Sequence, residues 1–241
     1  MASRKEEKER LRREREERER EAAAAKKRKQ MVGYGIGGAL ALAAVVIVAV
    51  LLISSGGGGD GGDEEKASLL PTGGTVARLP ADTNVDKAAK AAGCELKEER
   101  AKSRDHVGNP NEQIPYSSNP PMTGKHYEIA AEDQAFTDPP PDASAVHALE
   151  HGRVNIWFKP NAPRKARADL KATYDSEQGY QLLLIPRPDM PYQIAATAWD
   201  KDPVQLGTGF LIGCKTADAK ALSAVRAFID EHRGNGPEPV P

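Results

Sequence analysis

The sequence has almost no net charge and few aromatic residues. Its 241 residues include 34 basic and 35 acidic side chains, for a formal charge of −1, and aromatic residues make up 5%. This balance argues against a strongly basic nucleic-acid binder, so no nucleic-acid partner is expected. The scarcity of aromatic side chains excludes a large aromatic-rich core.

Motifs typical of common enzymes are also missing. The sequence contains no G-x-S-x-G, no P-loop and no dinucleotide-binding glycine fingerprint. Its two cysteines, Cys94 and Cys214, are too far apart in sequence for a C-x-x-C redox motif. The residues therefore leave enzymatic activity open and favour a protein that is not an enzyme.

In the first 53 residues, charged and apolar side chains fall into two separate segments. Residues 1–30 are almost entirely Arg, Lys, Glu and Ala, and pairs such as Glu6–Arg10 favour a helix. An apolar heptad seam is missing here, so no true coiled coil is expected despite the coiled-coil-like charge pattern. We predict a charged arm, helical or disordered.

Residues 31–53 contain no acidic or basic side chain. A helix of this length would extend about 34 Å, enough to cross a hydrocarbon core of about 30 Å. The apolar run is too long, and starts too late, for a cleaved signal peptide. The sequence therefore predicts an uncleaved signal anchor that spans the lipid bilayer once.

The residues that flank this segment set its orientation. The basic cluster Lys26, Lys27, Arg28 and Lys29 precedes the span, and acidic residues follow it. Basic residues stay on the cytoplasmic side, so the arm is predicted to be cytoplasmic and the chain after Ser54 extracellular. The basic cluster is also expected to contact anionic lipid headgroups.

The rest of the chain divides into a linker, a domain and a tail. Residues 54–82 begin with a glycine-rich stretch and predict a flexible linker, 83–233 an extracytoplasmic domain, and 234–241 a disordered tail. In an oxidising compartment Cys94 and Cys214 are expected to form a disulfide. Free or metal-bound thiols are the alternative.

Hydrophobic periodicity predicts a small α+β layered domain. A short helix over 84–92 ends at Gly93, and a long ordered loop region follows over 103–141. A β-α-β-β-α succession closes the domain, preceded by a short helix that Asp142 caps. The predicted ranges are 143–151, 163–177 and 217–233 for the helices after the loop region, and 153–159, 180–186 and 192–199 for the strands.

Four of the five histidines lie between His106 and His151. His147 and His151 are four residues apart, which places both imidazoles on one face of a helix. His126 follows a proline-rich turn that also contains Met122, a possible thioether ligand. We predict a copper or zinc site formed by His126, His147 and His151, with His106 as a fourth ligand. Alternatively, the histidines donate hydrogen bonds to loop carbonyls and stabilise an irregular segment.

The segment from His147 to His151 also matches the H-x-x-E-H pattern of inverted zinc peptidases. In that pattern the two histidines bind zinc and Glu150 acts as the general base. The surrounding sequence is unfavourable, because the helix is short and lies between a proline-rich loop and Gly152. A zinc hydrolase is therefore the least favoured of the metal-dependent functions.

Two longer motifs resemble a known family. YSSNPPMTGKHY at 116–127 and VHALEHGRVN at 146–155 resemble the signature of the domain of unknown function 3105 family. That family is widespread in actinobacteria, often as a membrane-anchored ectodomain, and has no established activity. The resemblance extends over roughly residues 93–232, and His106 and Ala198-Trp199 also fit it.

The resemblance implies that the histidines form one site. It groups His126, His147, Glu150 and His151, and it adds Tyr116 as a supporting residue at the start of the first motif. Glu150 would orient a ligand imidazole. The family usually has a smaller residue than Met122 at that position, which weakens the argument for a thioether ligand.

The expected function is metal handling or sensing at the cell envelope. The main alternative is a metal-free interaction domain whose histidine loop binds an envelope protein. A zinc hydrolase that uses Glu150 as its base is the third possibility.

Overall fold

The computed structural model describes residues 68–79, 83–202 and 206–238. The predicted charged arm and membrane segment, residues 1–30 and 31–53, lie outside these ranges. Within the described ranges, no helix combines the length and the apolar character needed to cross a membrane.

Four α-helices and seven strands form the described part of the chain, so the predicted mixed α+β class is confirmed. Every helix and strand predicted from periodicity is present, with boundaries that differ by one or two residues. The elements in chain order are α1 (Val85–Ala92), β1 (Glu95–Arg100), β2 (His106–Val107), β3 (His126–Tyr127), α2 (Asp142–Glu150), β4 (Val154–Phe158), α3 (Arg164–Ser176), β5 (Leu182–Pro186), β6 (Ile194–Asp200), β7 (Thr208–Cys214) and α4 (Ala219–His232).

A five-stranded sheet in the order β1-β7-β6-β4-β5 forms the centre of the domain. Only the β4–β5 pair is parallel, as expected for two strands connected by a helix, here α3. The other neighbours are antiparallel. The predicted β-α-β-β-α succession therefore corresponds to β4, α3, β5, β6 and α4, and it omits β7.

The sequence analysis missed β1 and β7 for different reasons. β1 is an edge strand of sequence ELKEER whose side chains are nearly all exposed, so it lacks the alternation that indicates a strand. β7 includes two glycines at points of close approach. A Cβ on Gly213 would lie 2.4 Å from the Tyr192 ring, and one on Gly209 would lie 2.3 Å from Thr123. Glycine is thus required in a strand whose propensity it weakens.

Side chains alternate between the two faces of the sheet, and each face packs against different helices. Val154, Ile156 and Phe158 of β4 point into a core cluster with residues of α1, α3 and α4. Trp157, on the opposite face, packs in a second cluster with Ala145 and Ala148 of α2. The second face therefore supports the helix that carries His147.

The predicted disulfide is confirmed. Cys94 and Cys214 are bonded, with a sequence separation of 120, and they join the start of β1 to the end of β7. The bond fixes the exposed edge strand to the sheet.

The N-terminal part of the domain starts earlier than predicted. Residues 68–79 fall in the predicted flexible linker, but they pack along α3. Arg167 donates hydrogen bonds to the carbonyl oxygens of Ser68 and Leu69, and the Thr75 amide donates to Asp169 Oδ1 at 2.8 Å. Polar contacts of this kind leave no periodic pattern of apolar residues in the sequence, so they could not be predicted from it.

The C-terminal tail also differs from the prediction of disorder as far as Glu238. The Gly234 amide donates to the Gly152 carbonyl at 2.8 Å, and the Glu238 amide donates to the Glu150 carbonyl at 3.0 Å. A Cβ on Gly236 would lie 2.2 Å from the Gly152 nitrogen. The two segments of the chain can therefore cross this closely because both residues are glycine. We call residues 234–238 the C-terminal strap.

The start of α2 differs from the predicted cap. The helix begins at Asp142, Pro141 precedes it, and no side chain caps it. Asp142 instead accepts two hydrogen bonds from Arg187, at 2.6 and 3.0 Å. The ion pair still places negative charge in the first turn of the helix, where it is favourable.

Candidate metal site

Four side chains converge beside the second face of the sheet. His106, His126, His147 and Glu150 each offer one ligand atom, and these atoms all lie within 4.8 Å of one another. The rings of His106, His126 and His147 are mutually 4.6 to 5.0 Å apart. Three of the four residues are buried and His106 is exposed. The group therefore has the size of a metal site with one edge open to solvent.

Two very short strands bring His106 and His126 together. β2 and β3 pair in parallel with His106 opposite His126, and the His126 amide donates to the Asp105 carbonyl at 3.1 Å. Residues that are opposite each other on paired strands point to the same side. The backbone register thus places two imidazoles side by side although they are far apart in sequence.

Tyr116 supports the turn that leads to His126. Its hydroxyl donates to the Lys125 carbonyl at 2.8 Å, and its ring packs beside Gly124 and against the Val146–Leu149–Trp199 cluster. Burial raises the pKa of Tyr116 well above its usual range, so the hydroxyl keeps its proton and remains a donor. The structure therefore places Tyr116 as a support for the backbone around His126.

His147 and Glu150 come from α2, where a spacing of three residues puts them on one face. Residues 143–150 of this helix are all buried. Asn155 of β4 donates to the Ala145 carbonyl at 2.9 Å and fixes the helix on the sheet. The two side chains therefore project from a helix with little freedom to move.

Backbone carbonyl groups fix the orientation of three imidazoles. The Nδ1 atoms of His126, His147 and His151 lie 2.8, 2.6 and 2.9 Å from the carbonyl oxygens of Gly124, Tyr127 and Glu238, respectively. Because a carbonyl oxygen can only accept, each Nδ1 carries a proton and donates it. When such an imidazole is neutral, its Nε2 has a free lone pair, as a metal ligand requires.

Glu150 lies at the centre of the group. Arg104 Nε donates to its Oε1, and His126 Nε2 lies 3.0 Å from its Oε2. Burial alone would raise the pKa of Glu150, but its contacts with His126 and Arg104 outweigh burial and lower the pKa to about 2. The side chain is therefore a carboxylate throughout the physiological range.

Burial makes His147 neutral, whereas Glu150 is charged despite its burial. This burial lowers the pKa of His147 to about 4, although the hydrogen bond to the Tyr127 carbonyl opposes the change. At neutral pH this imidazole is uncharged. Neutral imidazole and ionised carboxylate are the protonation states in which these groups bind metals.

Two atoms at the centre of the site lack a hydrogen-bond partner. His126 Nε2 and Glu150 Oε2 are both buried, and within the described ranges neither forms a hydrogen bond. When the imidazole of His126 is neutral, its Nε2 and Oε2 of Glu150 are two acceptors 3.0 Å apart that repel each other. A cation between them would satisfy both, so the donor set fits a metal ion.

The structure groups the predicted ligands differently from the sequence analysis. His106, His126 and His147 come together. Glu150 joins them as a candidate ligand, whereas the sequence analysis expected it to orient a ligand imidazole. His151 lies beside this group, with its ring 4.5 Å from that of His147 and its Nδ1 bonded to the C-terminal strap. Met122 is buried in the second core cluster, where its side chain packs as an apolar group.

Sequence analysis missed two residues that support the site. Arg104 bonds both Glu150 and, through Nη2 at 3.0 Å, Glu238 of the strap. Arg104 is two residues before His106, but nothing in the sequence connects it to Glu150. Glu238 falls in a segment whose composition predicts disorder. Neither residue has a sequence signal that could have identified it.

The contacts of Glu150 can be compared with the role of general base that the H-x-x-E-H pattern would give it. A general base needs a carboxylate oxygen that can reach a water molecule or a substrate. Oε1 of Glu150 is bonded to Arg104, Oε2 faces His126, and the side chain is only 1% exposed, so neither oxygen is open to a substrate. The geometry is that of a ligand or a structural carboxylate.

Comparison with known proteins agrees with the position of the site. A family model described as "Protein of unknown function (DUF3105)" matches residues 106–241. A search of curated proteins and a search of solved structures each found no match. The matched region begins at His106 and includes all four candidate ligands. The chain therefore belongs to the DUF3105 family of proteins of unknown function.

Proposed function

We propose that this protein binds one transition metal ion outside the cell through His106, His126, His147 and Glu150, and that it is held at the membrane by residues 31–53. The observation that carries the proposal is the convergence of four ligand atoms within 4.8 Å, three of them from buried residues. A metal-handling or metal-sensing role at the cell envelope follows from that location.

The electrostatics of the site favour a cation. Glu150 is a carboxylate and His147 is neutral at pH 7, because their pKa values lie at about 2 and about 4. Arg104 is the one arginine or lysine that contacts Glu150 in the described ranges, and it engages only Oε1. Oε2 is left facing the imidazoles, where a bound cation would balance its charge.

The ligand chemistry favours zinc(II) or copper(II). Three imidazole nitrogens are borderline donors that these ions prefer, and both ions also accept a carboxylate oxygen, whereas calcium and magnesium prefer oxygen ligands alone. Thiolate is excluded from the described site because Cys94 and Cys214 are bonded to each other. Copper(I), which prefers sulfur, is therefore the weaker candidate.

The disulfide also supports the predicted location. Disulfide bonds persist in oxidising compartments and are rare in the cytosol. The Cys94–Cys214 bond is therefore consistent with the orientation that the basic cluster before residue 31 predicts. Membrane anchoring itself is proposed from sequence, since residues 31–53 lie outside the described ranges.

The test is the metal content of the full-length chain, purified in lipid nanodiscs. The protein is dialysed against zinc(II) and copper(II) in turn, freed of excess metal and analysed by elemental mass spectrometry. One equivalent of metal per chain is expected. His147→Gln should lose the metal, because glutamine supplies no imidazole nitrogen, and circular dichroism should show an unchanged fold.

His151→Gln is the matched control. It changes a histidine of the same helix turn that lies outside the four-residue group, so it should retain one equivalent. Loss of metal in both variants would mean that the ligand set includes His151. Metal at background level in the unmodified chain would exclude the proposal and favour a metal-free interaction domain.

A further inference from the structure

A second polar pair lies away from the candidate metal site, at the end of α4. His232 is 6% exposed, and its Nδ1 lies 2.8 Å from Asp200 Oδ2. Its ring packs between Phe210 and Phe228, at centroid distances of 4.6 and 4.3 Å. A carboxylate thus orients a buried imidazole, an arrangement that is common where the second ring nitrogen binds a ligand.

The second nitrogen of His232 is available. When Nδ1 donates its proton to Asp200, Nε2 becomes an acceptor. Within the described ranges, Nδ1 of His232 forms a hydrogen bond and Nε2 forms none. The imidazole is also part of the wall of a cavity of about 410 Å³, which we call the His232 cavity. An imidazole is therefore placed beside a space large enough for a small organic molecule.

Half of the residues that line the His232 cavity are apolar. α1 and α4 contribute Val85 and Phe228, and the sheet contributes Leu96, Phe210 and Leu211. Leu96 is 41% exposed, one of the few large apolar side chains on the described surface. It lies on the edge strand β1. An apolar ligand that covered Leu96 would be stabilised by the surface it removes from water.

The rim of the cavity is acidic. Asp86, Glu98 and Glu231 line it, and Lys97 is the only basic side chain among the lining residues. Lys97 is also paired with Glu95, at 3.2 Å, outside the cavity. The excess of carboxylates would attract a cation and repel an anion.

We propose that the His232 cavity binds a small organic cation, a primary ammonium or guanidinium group on an apolar body. An N–H of the ligand would donate to Nε2 of His232, the carboxylates of the rim would balance the charge, and the apolar body would cover Leu96 and Phe210. The aromatic face of Phe210 offers a further favourable contact for a cation. The site is independent of the metal site.

Saturation-transfer NMR on the full-length chain in phosphatidylcholine nanodiscs tests the proposal, with empty nanodiscs as the reference. The probe is 2-phenylethylamine, and its neutral and anionic analogues are 2-phenylethanol and 3-phenylpropionate. Saturable binding is expected for the amine, weaker binding for the alcohol, and none for the carboxylate. The double variant Glu98→Gln/Glu231→Gln should weaken amine binding about threefold to tenfold, as expected for two partly exposed ion pairs.

Asp230→Asn is the matched control, because it removes a carboxylate of α4 that does not line the cavity. It should bind the amine as the unmodified chain does. His232→Phe keeps a ring between Phe210 and Phe228 but removes the acceptor, so it should weaken binding while circular dichroism shows a folded domain. His147→Gln should leave amine binding unchanged even if it abolishes metal binding.

Three results would overturn the proposal. The first is no saturable signal above that of empty nanodiscs. The second is equal binding of amine, alcohol and carboxylate, which would indicate apolar partitioning. The third is equal amine affinity for Asp230→Asn and Glu98→Gln/Glu231→Gln, which would show that the acidic rim has no part in binding.

Discussion

β4 and the loop that carries His106 and His126 are close in space and are stabilised in different ways. All five residues of β4 are buried and most are apolar, so the strand is fixed by packing on both of its faces. The loop that carries the two histidines has strands of only two residues, and the side chains of His126 and Tyr116 are fixed by hydrogen bonds to carbonyl oxygens.

We call residues 104–151 and the C-terminal strap the histidine region, and β1 with β4 to β7 the sheet. Packing in the sheet is shared among many contacts, so each side chain can be replaced by one of similar size. In the histidine region, Nδ1 of His126, Nδ1 of His147 and Oε1 of Glu150 each depend on one partner. Loss of that partner leaves an unsatisfied group, which is costly in a buried site. The two regions should therefore respond to different perturbations.

The largest expected effect concerns the covalent link at the edge of the sheet. Cys94→Ala/Cys214→Ala opens a loop with a sequence separation of 120, for which the chain-entropy model gives a loss of roughly 4–5 kcal/mol in the free energy of unfolding. Urea unfolding followed by circular dichroism measures it. A loss below about 1 kcal/mol would mean that the unfolded chain is already compact without the bond.

A core substitution in β4 should come next. Ile156 is fully buried, and Ile156→Ala should lower the free energy of unfolding by about 2–5 kcal/mol through lost burial and a cavity. Ile129→Ala is the matched control, because Ile129 lies in the histidine region and is 60% exposed. Metal content should be unchanged in both variants. Equal losses for the two variants would contradict the contrast between the regions.

Acid should act mainly on the histidine region. His147 has a pKa of about 4 in the folded chain and an ordinary histidine pKa of 6.5 when unfolded, so the unfolded chain binds more protons between these values. Stability is therefore full above pH 6.5 and falls as the pH drops towards 4, by at most about 3 kcal/mol. Glu150 adds a further loss between pH 4.5 and 2, because its pKa is lowered on folding.

Unfolding at pH 7 and pH 4.5 in the presence of a chelator measures this loss. His147→Gln should remove most of the difference between the two pH values, since glutamine does not titrate. His151→Gln should keep it. The same loss in His147→Gln as in the unmodified chain would assign the pH dependence to other groups.

The smallest expected effect is at the strap. The side chain of Glu238 is 59% exposed and pairs with Arg104 at 3.0 Å, so Glu238→Gln should cost less than about 1 kcal/mol. The backbone of Glu238 makes the contacts with Glu150 and His151, and the substitution leaves it intact. Thermal unfolding with and without zinc(II) checks the expectation. A large loss would show that the charge of Glu238 helps to orient Arg104.

The sequence predicts the sheet better than the histidine region. β4, β5 and β6 are continuous apolar runs, and α3 and α4 have apolar residues at helical spacing, so periodicity indicates their type and position. β1 shows the limit of that signal, because a mostly exposed edge strand has no apolar alternation. β7 shows another limit, because two of its residues are glycine for reasons that only the tertiary structure reveals.

The candidate site was predicted only in part. The types and clustering of His106, His126 and His147 pointed to the region where the structure brings these side chains together, because imidazoles in a proline-rich loop are a compositional signal. The position of Glu150 within the group could not be inferred, since it depends on Arg104 and on the β2–β3 register. Helical spacing favoured His151, but in the folded chain that histidine turns to the strap.

The disulfide described above has a consequence for the topology of the chain. Cys94 precedes His106 and Cys214 follows Glu150, so all four candidate ligands belong to one covalent ring. A protease that cuts once in the exposed loop between Val107 and His126 would produce two pieces that stay joined through sulfur. The ligands would remain on one molecule after cleavage, and only reduction would separate them.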